Sequence, residues 1–164
     1  MMMLMAICVA NGNNNYWGVR VPRPVLFINL ERPRQTLLRR DVSIREVLGV
    51  EGGSGVRYLH GKGASLSALM PIIHKFCREH PGAVLFLDSI SRAGVGKLNE
   101  DITANTFVDL MGSTGATWAA IGHTPREDNS HIYGSIHFEA GEDIGVRVSS
   151  TKSDALVGIS LEMT

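Results

Sequence analysis

Three polar residues follow directly on apolar, strand-forming runs. Glu31 follows Val25-Leu26-Phe27-Ile28-Asn29-Leu30, Asp88 follows Ala83-Val84-Leu85-Phe86-Leu87, and His123 follows Thr117-Trp118-Ala119-Ala120-Ile121-Gly122. A carboxylate at the end of an apolar strand can hold Mg²⁺, directly or through water, because this hard cation takes oxygen ligands and keeps several waters. Four apolar residues before Asp88, with Ser89 after it, fit the loose Walker B pattern. Glu31 could polarise an attacking water as a general base. His123 could read a phosphate or shuttle a proton, since imidazole titrates near neutrality. Each residue also has a plainer reading. Asp88 could cap the following turn through Ser89 or Ser91. Glu31 could pair at the surface with Arg32 or Arg34, a contact worth little. His123 could bond to a backbone carbonyl.

Other constellations compete. His123, His131 and His137, with Glu127 and Asp128, could ligate a metal, but their spacing matches no metal pattern. Ser89 and Ser91 near His123 could suggest a hydrolase, but no Gly-x-Ser-x-Gly elbow is present. A phosphate-binding loop needs Gly, four residues, then Gly-Lys-Ser/Thr. Gly61-Lys62 is followed by Gly63 and Gly96-Lys97 by Leu98, so neither completes it.

The elements that must position these residues follow from pattern. Met1–Ala10 is wholly apolar and reads as a buried helix that begins abruptly. It has no charged region of the kind a signal peptide carries. The Asn/Gly cluster 11–15 reads as loop. Pro22 and Pro24 keep the approach to residue 25 extended, and 25–30 reads as a buried strand. Residues 33–40 then read as a short helix with Pro33 in its first turn. A second short helix opens at Ser43, with Glu46 in capping-box spacing. Residues 56–59 read as an edge strand. A helical stripe at 66, 69, 70, 73, 76 and 77 is interrupted by Pro71, where a kink or restart is expected. Residues 83–87 and 117–121 read as buried strands, 102–112 as an amphipathic helix, and 134–143 as a short mixed segment. Residues 145–150 and 156–163 read as closing strands around a turn at 152–154. Strands alternating with helices argue for an α/β domain with a mostly parallel sheet. Ligands of open α/β sheets bind at the edge where the strands end, which is where Glu31, Asp88 and His123 fall.

Composition bounds the rest. The 164 residues suit one domain. Sixteen basic residues balance sixteen acidic ones, so any nucleic-acid contact must come from a local patch. No run reaches the ~18 apolar residues of a membrane helix. Cys8 and Cys77 form no metal or redox motif and read as free thiols of a cytoplasmic protein.

The segments PVLFINLERPRQTLLRR, AVLFLDSISRAGVGKLNEDITANTFVDLM and TWAAIGHTPRE…YGS resemble the RecA-like ATPase core of the hexameric replicative helicases of plasmids and phages. The resemblance spans about residues 4–163, and no single motif in it is strict. It implies a three-layer P-loop NTPase fold, ATP and Mg²⁺ as cofactors, single-stranded DNA as partner and a homo-oligomeric ring; no membrane partner is expected, from the short apolar runs. By that likeness Glu31 activates water, Asp88 with Ser89 holds Mg²⁺·ATP, and His123 senses the γ-phosphate. The loops carrying Arg92, Lys97 and Arg126 would face the DNA. It also implies the strand order 56–59, 25–30, 83–88, 117–121.

In that family a strand and P-loop stand just before a helix like MMMLMAICVANG, and a basic element follows a segment like Leu161–Thr164. The expectation is therefore a single RecA-like domain over 1–164, incomplete at both ends, lacking the P-loop strand and binding ATP weakly. The strand at 117–121 would then keep an open edge or pair directly with 145–149. Two rival functions remain: a non-catalytic RecA-fold module for interaction or DNA contact, and a small metal-dependent hydrolase.

Overall fold

The computed structural model describes residues 1–124, 133–135, 137–141, 143–152 and 157–163. The first strand, β1 (Val25–Asn29), buries every side chain, as its four apolar residues lead one to expect, and the polar Asn29 is buried with them. It sits between β2 (Val56–His60) and β3 (Val84–Asp88), and β4 (Thr117–Ala120) lies beyond β3. All three pairings are parallel, giving one four-stranded sheet in the order β2-β1-β3-β4, the expected order.

Helices cover both faces, because alternate residues of each strand point opposite ways. On one face Leu26, Ile28, Leu85 and Leu87 pack against α4 (Leu66–Glu79) and α5 (Asp101–Gly112). On the other face Val25, Phe27 and Phe86 pack against α1 (Met2–Asn11) and α3 (Arg34–Leu48). The apolar N-terminal run is thus a core helix, with Ala6, Ile7 and Cys8 fully buried. No helix among the described residues is long and apolar enough to cross a membrane.

Several local expectations are corrected. The segment 33–49 is one helix, not two: α3 runs unbroken and Ser43 lies inside it rather than capping a second start. The reason is tertiary. Asp41, between the two expected helices, is buried and accepts hydrogen bonds from the Tyr58 hydroxyl on β2 and from Arg45 Nε at 2.9 Å, one turn on. Arg45 also donates to the Gly52 carbonyl at 2.5 Å, fastening the loop that leads into β2. Pro33 precedes α3 as its cap residue instead of lying in the first turn. In α4 the helix does not restart at Pro71; the missing N–H removes one bond from the ladder and the helix continues to Glu79. Ser65 caps α4 by accepting from the Ala68 N–H at 3.3 Å. Within the Asn-rich loop, Asn14–Trp17 forms a single helical turn, α2.

A second, two-stranded antiparallel sheet holds β5 (Val146–Lys152) and β6 (Val157–Met163). The expected turn at 152–154 lies mostly outside the described residues. Val146 and Val148 stand opposite Met163 and Leu161, and this apolar row is between 45% and 80% exposed. Among the described residues β4 pairs only with β3, and β5 only with β6, so the direct pairing of 117–121 with 145–149 is not formed. The mixed segment before the hairpin contains a short helix, α6 (His137–Ala140), anchored where Phe138 meets Phe107.

Asp41 is the strongest test of the α3–β2 junction. Tyr58→Phe leaves a buried carboxylate oxygen without its donor, and ~1–3 kcal/mol of stability is the expected loss. Urea unfolding should show it; an unchanged midpoint would mean that the Tyr58–Asp41 bond contributes nothing.

Candidate functional site

The carboxyl ends of the parallel strands converge on one rung. The register sets His60, Asn29 and Asp88 side by side on β2, β1 and β3. Beyond it the chain continues to follow the sheet: Leu30 N–H donates to the Asp88 carbonyl at 2.8 Å and Ile121 N–H to the Leu87 carbonyl at 3.0 Å. Arg32 precedes Pro33 and so avoids the helical region, which forces a turn between β1 and α3. Asn29, fully buried, holds that turn: its Oδ1 accepts the Arg32 N–H at 3.0 Å and its Nδ2 donates to the Arg32 carbonyl at 2.7 Å. Gly61 closes the rung from the β2 side by donating its N–H to the Asn29 carbonyl at 2.9 Å. A Cβ at Gly61 would meet the side-chain ends of Leu69 and Leu30, which would have to shift to admit it.

The turn delivers Glu31 to β3. The Ser89 hydroxyl, on a fully buried residue, donates to Glu31 Oε2 at 3.0 Å, and Ser91 Oγ lies 3.0 Å from Ser89 Oγ. His123 Nε2 lies 4.0 Å from the same Glu31 oxygen, with the two side chains 60% and 30% exposed. The Asp88–Ser89 peptide is cis. Asp88 sits within electrostatic reach of Glu31 and His123. Burial pushes its carboxyl up, and the negative charge of Glu31 pushes it further, against the opposing effects of Arg32, Arg40 and His123. On β2, the far side of β1, burial lowers the His60 pKa, and Arg34 adds to this.

Glu31, Asp88, Ser89 and His123 are therefore brought together. Glu31 makes its contacts to Ser89 and His123, not the surface pairing with Arg32 or Arg34. Arg92 ends a short 3-10 turn, Ile90–Arg92, after β3 and is exposed. Lys97, 81% exposed, lies 3.7 Å from Glu100. Arg126 lies outside the described residues, as do Glu127, Asp128 and His131 of the alternative metal set. His137 is apart from His123's contacts and faces Asp101 at 3.5 Å. Among the described residues no group of three or more His, Cys, Asp or Glu side chains is placed to hold a metal. Asn29 and His60 belong to the site's architecture without having been singled out for it; Asn29 falls inside the strand expected over 25–30, and only the register reveals its rung.

No family model matches the chain, and no curated protein matches it.

The raised Asp88 carboxyl has a consequence for stability. Just above its ordinary value of 3.8 the folded chain holds this proton more firmly than the unfolded chain does, so stability falls as pH rises through that range. Asp88→Asn removes the cost of the buried charge. Its melting temperature is expected to exceed that of the wild type at neutral pH, with the two converging as the pH drops below 3.8. Calorimetry across the acid range checks this, and a variant less stable at neutral pH would contradict it.

Proposed function

We propose that this chain is a RecA-like, helicase-type ATPase core whose nucleotide lies along the carboxyl edge of the parallel sheet. The observation that carries the proposal is the convergence of Glu31, Asp88 with Ser89, and His123 at that edge, from three strands far apart in sequence. Ligands of open parallel sheets occupy this position. The donor set suits Mg²⁺: a carboxylate and a hydroxyl, both hard oxygen ligands, at a point where two acids repel and a cation would relieve them. Asp88 would hold the ion through water, with Ser89 beside it. Mg²⁺ supplies neutralisation of phosphate charge when bound.

The chain's own groups have distinct tasks in this reading. Glu31 accepts a proton from water, with Oε2 fixed by Ser89. His123, more exposed than Glu31, reaches outward to a terminal phosphate. Arg92 and Lys97 follow β3 on exposed backbone and would contact single-stranded DNA, in a ring of like subunits, and Arg126 joins them by resemblance. Phosphoryl transfer depends on positioning and electrostatics. With no Gly-x4-Gly-Lys-Ser/Thr in these 164 residues, this edge alone is expected to bind ATP weakly.

Amide NMR of the labelled chain tests the reading. Mg²⁺·ATP at millimolar concentration is expected to shift residues 29–32, 88–91 and 121–123, and Asp88→Ala is expected to abolish the Mg²⁺-dependent part. Shifts confined to other regions, or none, would overturn it. A response to single-stranded DNA at Arg92 and Lys97 without any response to Mg²⁺·ATP would favour the non-catalytic DNA-contact module.

A further inference from the structure

The turn after β1 leaves a charged donor without a partner. Both ends of the Asn29 amide hold the backbone of Arg32, so Arg32 leaves the sheet from a fixed point. Its guanidinium acts electrostatically on Asp88. Its Nε nevertheless is shielded from solvent and has no hydrogen-bond partner among the described residues. Glu31 Oε2, an obvious acceptor, takes the Ser89 hydroxyl and faces His123 instead. A buried N–H without an acceptor is costly, and a guanidinium is shaped to take carboxylate or phosphate oxygens in its planar fork.

Other cations follow the turn in the chain. Arg34, Arg39 and Arg40 occupy the start of α3 and are exposed. A long exposed side chain loses rotamer freedom when it binds. Arg32 is partly buried and its backbone is already held, so it loses less, which is the advantage of preorganisation.

We propose that Arg32 is an anion-binding residue of the strand edge, its Nε and fork taking a phosphate oxygen of the ligand. The assignment deepens the nucleotide reading and rests on it for the identity of the ligand. It gives the edge a fixed positive donor of its own, beside the two carboxylates.

The test uses the whole chain, as wild type, Arg32→Gln and Arg32→Lys. The probes are inorganic phosphate and pyrophosphate without divalent ions, and then Mg²⁺·ATP. In the wild type, pyrophosphate is expected to shift the Arg32 Nε–H resonance and the amides of residues 30–33. Arg32→Gln should weaken pyrophosphate binding ~10-fold or more, and Arg32→Lys should recover only part, lacking the fork. The Nε–H shift is read on wild-type protein and so does not depend on a variant folding. Pyrophosphate binding equally to Arg32→Gln, or no movement of the Nε–H with any anion, overturns the assignment. If Mg²⁺·ATP still shifts 88–91 and 121–123 in that event, the nucleotide reading stands without Arg32. If pyrophosphate binds through Arg32 while Mg²⁺·ATP leaves 88–91 unmoved, the anion site stands and the nucleotide reading fails.

Discussion

A strand buried on both faces has room for polar side chains only at its ends, and β1 is such a strand. Val25 through Ile28 are each 5% exposed or less, with helices on both sides. The first polar residue, Asn29, sits at the carboxyl end and is itself fully buried. A buried amide must have its donors and acceptor satisfied. Asn29 achieves this by gripping the Arg32 backbone, and that grip sets where Glu31 and Arg32 emerge. β3 obeys the same constraint. Leu85, Phe86 and Leu87 are fully buried, and the polar Asp88 and Ser89 come only where the strand ends. In-register parallel pairing then puts both polar ends on one rung. Local sequence supplies the polar ends, and sheet register makes a site of them.

How much of this is legible in sequence depends on whether a contact is local. The runs 25–30, 83–87 and 117–121 are mostly apolar, and strand assignment follows directly; the stripe from Leu66 to Cys77 is equally plain, and the structure buries all but its last member, Cys77. The continuity of α3 is not legible, because Ser43 looks like a second start until Tyr58, on β2, donates to Asp41. Glu31, Asp88 and His123 could be picked out by standing after strands. Asn29 could not, since a polar residue closing a strand has no special meaning until its rung mates are known. Ser91 was visible as a turn residue and, with Ser89 near His123, as one member of a possible hydrolase set. Its contact with Ser89 depends on the 3-10 turn that brings it back.

The two carboxylates at the edge would repel if left alone, and the structure answers them with neutral and cationic groups of different kinds. Asp88 is raised by burial first and by Glu31 second, so its ionised form is held against opposition. Arg32, Arg40 and His123 offset part of that without a close ion pair to Asp88 among the described residues. A direct buried salt bridge would satisfy both partners and leave nothing for a ligand, whereas incomplete compensation leaves the edge able to gain from a bound ion or anion.

Proton accounting adds a direction to the hydroxyl chain. Ser89 has a single hydroxyl proton, and an ionised Glu31 can only accept, so that proton goes to Glu31 Oε2. Ser89 then has no proton for Ser91, and the Ser91–Ser89 contact must run from Ser91 to Ser89. The chain is therefore polarised from an exposed hydroxyl inward to a carboxylate, and each bond strengthens the next. Among the described residues only Oε2 of Glu31 is engaged, so the carboxylate is held by one oxygen while the other can take a proton from outside. A carboxylate tied at both oxygens would be a structural fixture. One tied at a single oxygen, beside a histidine at 4.0 Å, keeps its orientation and its capacity to accept.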